Sequence, residues 1–234
     1  MKGLGEAPRL VLTLAGAGLL SGLAIVSAYR LTLPTIRANQ AAALERAVLA
    51  VLPGSAAIQR LVWRDGAVAA ASGEAAAGDE SVYAGYDGEG RFVGYAIPGA
   101  GAGFQDTIKL LYGYDPERRR IVGMEVLESR ETPGLGDRIF KDADFVAEFR
   151  DLAVEPRVEL VKGEGPEAHQ VDAITGATIS SAAVVAIVGG ANETWLGRLP
   201  EAAAAPPLAT TNGAAPPAGG ELERGGPVPG GRGQ

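Results

Sequence analysis

The segment Asp172-Ala173-Ile174-Thr175-Gly176-Ala177-Thr178 stands directly before the apolar run Ile179 to Val188. That run reads as a helix, so the Thr178 hydroxyl falls at a glycine turn beside a helix N-terminus, where free backbone N–H groups and the helix dipole favour a phosphate. By spacing alone the same residues also read as a threonine cap on a helix that follows a glycine turn. A second segment, Glu131-Thr132-Pro133-Gly134-Leu135-Gly136, combines a proline that fixes one backbone angle with two glycines that permit left-handed or close-approach geometry. Such a loop can present its amides and carbonyls to a flat ligand. Gly134 and Gly136 would clear space, Leu135 would lie against a ring face, and Glu131 and Thr132 would bond polar ring edges. Its plainer reading is a tight turn after a strand that ends at Leu127.

Composition limits the chemistry open to these two segments. The 234 residues contain no cysteine and one histidine, His169, which excludes thiolate zinc sites, iron–sulfur clusters and Cys-x-x-Cys-His haem attachment. A redox role would therefore rest on an organic cofactor. The absence of cysteine also removes disulfides and a lipid-modified cysteine anchor. A net charge of -7 argues against a dedicated nucleic-acid binder. The densest basic run, Arg118 to Arg120, lies between two strand-like segments and reads as a solvated turn. Gly99-Ala100-Gly101-Ala102-Gly103 has no helix after it, so it is read as a flexible loop and not as a dinucleotide fingerprint.

Several elements must position the two segments. Leu10 to Tyr29 carries no charge and is bounded by Arg9 and Arg30, and about 20 residues of helix cross a hydrocarbon core. Residues 10–30 are thus expected to be a transmembrane helix, preceded by residues 1–9. The rival is a cleaved signal peptide, with Lys2 and Arg9 ahead of the apolar run and the small residues Val26-Ser27-Ala28 near its end. The run exceeds the usual ~7 to 15 residues of such a segment, which favours a retained anchor. Gly18 and Gly22 have Gly-x-x-x-Gly spacing, which lets another helix approach closely, although so Gly- and Ala-rich a run also produces it by chance. Basic residues on both flanks leave the orientation open.

Residues 31–54 are expected to be a connecting helix, running after Pro34 from Thr35 to Leu52 and stopped by Pro53-Gly54. Strand-like segments follow at 58–70, 81–86, 91–97, 107–114 and 120–127, punctuated by Asp65-Gly66, Asp87-Gly88 and Asp115-Pro116. A short helix over 140–149, a strand over 157–161 and a last helix over 178–196 complete an α+β domain of antiparallel strands with packed helices, residues 55–199. Residues 200–234, rich in Ala, Gly and Pro, cannot repay the entropy of folding and are expected to be a disordered tail.

Glu131-Thr-Pro-Gly-Leu-Gly-Asp137-Arg-Ile139, followed by Asp172-x-x-Thr175-Gly-Ala-Thr178 behind a single membrane helix, resembles the covalent FMN-binding domain of the RnfG family, the G-subunit of the Rnf electron transport complex, also called Rsx. The resemblance runs from the anchor through about Trp195 and leaves out the tail. It implies one FMN per chain, joined through its phosphate to Thr178 by a phosphoester bond. Thr175, Gly176 and Ala177 would border the attachment point, and bulk at the last two would obstruct the phosphate. Asp172 belongs to the motif that a flavin transferase reads when it moves FMN from FAD with a divalent metal. The resemblance further implies that Glu131, Thr132 and Leu135 border the isoalloxazine ring and that Gly134 and Gly136 give it room. Where the family often has a histidine pair, this chain has Ser129-Arg130, and an Arg130 near the ring would raise the flavin potential.

The implied function is electron relay by a flavoprotein subunit of a translocase, an ion-translocating oxidoreductase that couples ferredoxin or NAD(H) to ion movement. This chain alone would complete no turnover, and no catalytic or metal-ligating residue is expected on it. The implied partners are the other Rnf subunits, above all the membrane-embedded ones, the flavin transferase during maturation and membrane lipid, with no nucleic acid. The implied location is the cell inner membrane, single-pass, with residues 1–9 as a cytoplasmic N-terminus and the FMN domain on the outer, periplasmic side. The C-subunit of the sodium-translocating NADH:quinone oxidoreductase shares both motifs, although Gly136-Asp137-Arg138 and Thr175 lean towards Rnf. A reading of a different class is a membrane-anchored binding or scaffold domain without flavin.

Overall fold

The computed structural model describes residues 6–71, 80–163 and 167–208. It opens with one continuous helix, α1, Glu6–Val51. The expected break between a membrane helix and a connecting helix at Pro34 does not occur. Proline removes one N–H donor and bends a helix, but the leucines and alanines on both sides are strong helix formers, and the helix continues through it. Residues 7–32 of α1 are exposed throughout. By length and composition α1 is long and apolar enough to cross a membrane.

Six strands follow, all paired antiparallel, with β1 between β2 and β3: β1 Ala57–Arg64, β2 Ala67–Ala70, β3 Ser81–Tyr86, β4 Phe92–Ala102, β5 Thr107–Asp115 and β6 Arg120–Glu128. The stretch read as one strand-like segment over 58–70 is the β1–β2 hairpin, turning at Asp65-Gly66. With the two-residue β7, Leu152–Ala153, the sheet order is β2-β1-β3-β4-β5-β6-β7. The helix expected over 140–149 is two short ones, α2 Arg138–Lys141 and α3 Ala143–Ala147, separated where the Asp142 side chain caps α3 by accepting from the Phe145 N–H. The strand expected over 157–161 is the shorter β8, Glu159–Val161. It pairs in parallel with β9, Gln170–Asp172, as a separate two-stranded sheet, a departure from the wholly antiparallel expectation. The last helix, α4, is Thr178–Trp195.

Strand alternation divides the core between the two faces of the sheet. Tyr95 and Ile97 of β4 and Ile108, Leu110, Tyr112 and Tyr114 of β5 point to the face covered by α4, with Val184, Val188 and Trp195 against them. The intervening residues Ala96 and Leu111 point to the opposite face, where Ala47, Val48, Val51 and Leu52 at the end of α1 close a smaller core. The glycine run is not a flexible loop. Gly99 and Gly101 lie within β4, and a methyl group at either would come within 2.6 Å of Ile187 on α4, so the absence of a side chain is what lets the helix approach.

Arg118 and Arg119 lie in the turn expected for the basic run, while Arg120 opens β6; Arg118 and Arg120 pair with Asp151, and Arg119 pairs with Glu155. The expected disordered tail requires a correction at its start. Residues 200–208 lie on the domain, with Ala205 and Leu208 packed on the main core, and the hydroxyls of Tyr95 and Tyr86 donate to the carbonyls of Pro200 and Pro206. The prolines that lowered the expectation of order supply carbonyl acceptors for two largely buried tyrosines. Residues 209–234 lie outside the described residues.

Candidate functional site

The turn between β9 and α4 is held from within. The Ala173 N–H donates to the Val161 carbonyl at 2.9 Å, and Gly176 takes a φ of +84°, which a side chain would strain. Ser181, fully buried, accepts from the Ile174 N–H at 3.2 Å and donates to the Ala177 carbonyl at 3.1 Å. The helix begins at Thr178, so the N-cap residue is Ala177, which makes no side-chain cap. The threonine-cap reading therefore fails. Thr178 is the first helical residue, half-buried, and α4 begins without the side-chain oxygen that ordinarily satisfies its first N–H groups.

The second segment folds into two consecutive turns. The N–H groups of Leu135 and Asp137 both donate to the Thr132 carbonyl, at 3.1 and 3.3 Å. Gly134, with a φ of +79°, donates its N–H to Asp137 Oδ1 at 2.8 Å. Asp137 is itself buried and accepts from Lys141 Nζ at 2.5 Å. That bond, with the Gly134 N–H, holds its carboxyl below the usual carboxylate range against the opposing effect of desolvation. Arg138 then joins the two segments, one guanidinium nitrogen donating to the Thr175 carbonyl at 2.7 Å and the other to Asp142 Oδ2 at 2.7 Å.

Between the segments lies an open cleft of about 330 Å³. Six residues singled out in the sequence line it: Thr132, Leu135, Gly136, Gly176, Ala177 and Thr178. Three others that sequence reasoning missed complete it: Phe104 at the tip between β4 and β5, and Ile179 and Ser180 in the first turn of α4. Phe104, Leu135 and Ile179 are 64%, 55% and 61% exposed, large apolar side chains gathered around one opening. The available signal was their type: an aromatic directly after Gly103 at a hairpin tip and an isoleucine immediately after Thr178 are costly to leave in water without a ligand to cover them.

The remaining expected site residues stand around the cleft without lining it. Thr175 is exposed on the turn, where its carbonyl takes the Arg138 bond. Gly134 shapes the loop from behind. Asp172 directs Oδ1 to the Gly163 N–H at 2.8 Å, while its own N–H donates to Glu148 Oε2 at 2.5 Å, so in this state its carboxylate ties β9 to the end of β8. Arg130 is exposed and pairs with Asp106 at 3.5 Å. Glu131 is 5% exposed and turned inward; its oxygens accept from the Gln105 N–H at 2.9 Å and from the Ser180 hydroxyl at 2.6 Å. It lies behind the cleft wall.

Residues 103–193, which span the cleft and both segments, match the FMN-binding domain family. Over 103 residues the chain is 43% identical to the G-subunit of the ion-translocating oxidoreductase complex of Methanosarcina acetivorans, covering 44% of this chain and 52% of that one. It is 36% identical over 84 residues to the protein of the same description in Pectobacterium atrosepticum, covering 36% of this chain and 40% of that one. It is 32% identical over 92 residues to the G-subunit of the proton-translocating ferredoxin:NAD(+) oxidoreductase complex of Clostridium ljungdahlii, covering 39% and 48%. The matched stretch spans 40% to 52% of the length of these curated relatives. Among solved structures, the fold is similar to NqrC of Shewanella oneidensis, with a TM-score of 0.52 and 20% identity over 68% of this chain and 93% of that one.

Proposed function

We propose that this chain, whose residues 103–193 are an FMN-binding domain akin to the G-subunits of ion-translocating oxidoreductase complexes, is the membrane-anchored flavoprotein subunit of such a complex and carries one FMN esterified to Thr178. The single observation that carries the reading is the start of α4. A hydroxyl on the first helical residue stands at a helix end whose N-cap, Ala177, offers no acceptor, and an esterified phosphate there would take the place of the missing cap.

The rest of the cleft fits the group. Leu135, Phe104 and Ile179 offer apolar surface to a ring system, and Thr132 and the backbone of the 132–136 turn offer polar atoms at its edge. A methyl group at Gly136 would come within 2.5 Å of Glu131 Oε2 and 2.8 Å of Ser180 Oγ, so the loop closes on α4 only with glycine at that position. When bound, FMN supplies one- and two-electron chemistry that no side chain of this cysteine-free chain provides. The protein's part is to hold the phosphate at the helix end, to shield one ring face with Leu135 and Phe104, and to set the charge around it. Coupling to ferredoxin or NAD(H), attachment by a flavin transferase, docking on membrane-embedded subunits and a periplasmic position belong to the same reading and are supported by the resemblance carried by the two motifs. The likeness to NqrC, at 20% identity, speaks for the fold alone, whereas the sequence likeness is to the G-subunits.

The test is the intact mass of the full chain co-expressed with a flavin transferase, wild type beside Thr178→Ala. The expected result is a mass increment of one FMN in the wild type and none in the variant. An increment in both proteins would falsify the attachment site, and an increment in neither would favour a flavin-free scaffold.

A further inference from the structure

Glu131 is a buried carboxylate that forms no ion pair among the described residues. Its charge is met instead by neutral donors drawn from two separate elements. The Ser180 hydroxyl in the first turn of α4 reaches Oε2 at 2.6 Å, and the N–H of Gln105 reaches Oε1 at 2.9 Å, with the N–H groups of Phe104 and Asp106 also turned towards it. The space around it admits little change. A methyl group at Gly103 would collide with one carboxylate oxygen, and one at Gly136 with the other. The Thr132 hydroxyl, next in the chain, donates to the Gln105 side-chain oxygen at 2.9 Å and reinforces the same junction. Three pieces of the cleft therefore meet on one side chain: the 104–106 tip with Phe104, the 132–136 loop with Leu135, and the helix turn with Thr178.

We infer that Glu131 is a latch and not a ring contact: held by Ser180 and the 104–106 tip, it fixes the 132–136 loop against the first turn of α4 and disfavours reduction of the flavin by keeping a negative charge behind the cleft wall. The inference rests on the reading that Thr178 carries FMN. Ser180 is then a positioning residue, acting on the ring only through Glu131. Neutral donors leave the charge of the carboxylate in place, whereas a paired lysine or arginine would cancel most of it at the distance of the ring.

Two variants of the full chain separate the parts of the inference. Glu131→Gln keeps an oxygen for the Gln105 N–H and an amide donor for Ser180 but removes the charge. Ser180→Ala keeps the charge and removes one bond of the latch. Both are expected to load FMN fully by intact mass. In Glu131→Gln the flavin is expected to become easier to reduce, by about tenfold in the equilibrium of a one-electron step, or about 59 mV, with amide hydrogen exchange over 132–136 raised less than in Ser180→Ala. In Ser180→Ala exchange over 132–136 is expected to rise severalfold, with a smaller change in potential. A loaded Glu131→Gln protein whose potential is unmoved or lower overturns the electrostatic role, and unchanged exchange in Ser180→Ala overturns the latch. A wild type that carries no flavin overturns the proposed function and the electrostatic role together, while the exchange comparison, which needs no flavin, still decides the latch.

Discussion

Glu131 and Glu148 are both drawn into the protein, and their surroundings push them in opposite directions. For Glu131 burial works to raise the carboxyl, but the hydrogen bonds from Ser180 and from the N–H groups of residues 104–106 outweigh it and hold it below the usual range. A carboxyl lowered by folding contributes stability that is present above its unfolded value and is lost as pH falls through its folded value. For Glu148 burial dominates, the Asp172 N–H opposes it, and the charges of Asp172, Asp142 and Asp144 add to it, so its carboxyl is held above the usual range. The sign is then reversed: the ionised form costs stability, fully so once pH has risen past the folded value. Glu148→Gln removes that cost and keeps an oxygen for the Asp172 N–H. We expect it to raise the thermal midpoint at pH 7 and to leave it unchanged near about pH 3, below the unfolded value of glutamate. A variant that melts lower than wild type at pH 7 contradicts this sign. At this scale the sequence was most and least legible. The identities of Thr178, Thr132, Leu135, Gly136, Gly176 and Ala177 carried the cleft, but Glu131 was expected to face the ring because the inward turn that buries it depends on Ser180 and Gln105, at distances in the chain that no local pattern connects.

Elements were legible wherever a local period set them. Strand alternation and the Asp-Gly and Asp-Pro turns marked the sheet within a few residues, and the apolar run after Thr178 marked α4. The errors arose where tertiary packing decides. Gly99 to Gly103 looked like loop because glycine is unfavourable in a strand, yet there the glycines make room for Ile187. The same device seats α1 on the other face. Gly85, Gly94 and Gly113 lie beneath Leu52 and Val51, and a methyl group at Gly113 would collide with the Val51 carbonyl oxygen, a backbone atom that cannot rotate away. We therefore expect Gly113→Ala to destabilise the domain by about 3 kcal/mol, at the upper end of the cost of overpacking a core, measured by urea denaturation. Gly66→Ala serves as a control, strained at its φ of +83° but meeting nothing within 4 Å. Equal losses in the two would show that the seat of α1 is not tight.

Among the described residues an apolar rod is fixed to a compact α+β domain, and the fixed part is short. α1 has 46 residues, about 69 Å at 1.5 Å per residue, but its packing on the sheet begins only at Leu44 and is completed by Ala47, Val48, Val51 and Leu52. Val51 lies against Gly123 in β6, while Ala43, Ala47 and Ala50 line one shallow cavity with Glu125 to Leu127 near the end of that strand. The helix therefore leaves the sheet at the end of β6 that leads into the 131–136 loop, and the anchor and the cleft extend towards the same end of the domain. The sequence showed the anchor and the cleft but not this relation, because Pro34 read as a boundary and only the packing of residues 43–52 reveals the direction of the rod. About 14 residues, 30 to 43, stand between the apolar run and the sheet, a separation of about 21 Å along the helix. Because residues 7–32 add exposed apolar surface and no core contact, a chain lacking residues 1–31 is expected to stay in solution without detergent. It should melt cooperatively at the midpoint of the full chain in detergent, as followed by circular dichroism. Loss of the cooperative transition on that deletion would mean that the rod supports the fold of the domain and is more than its tether.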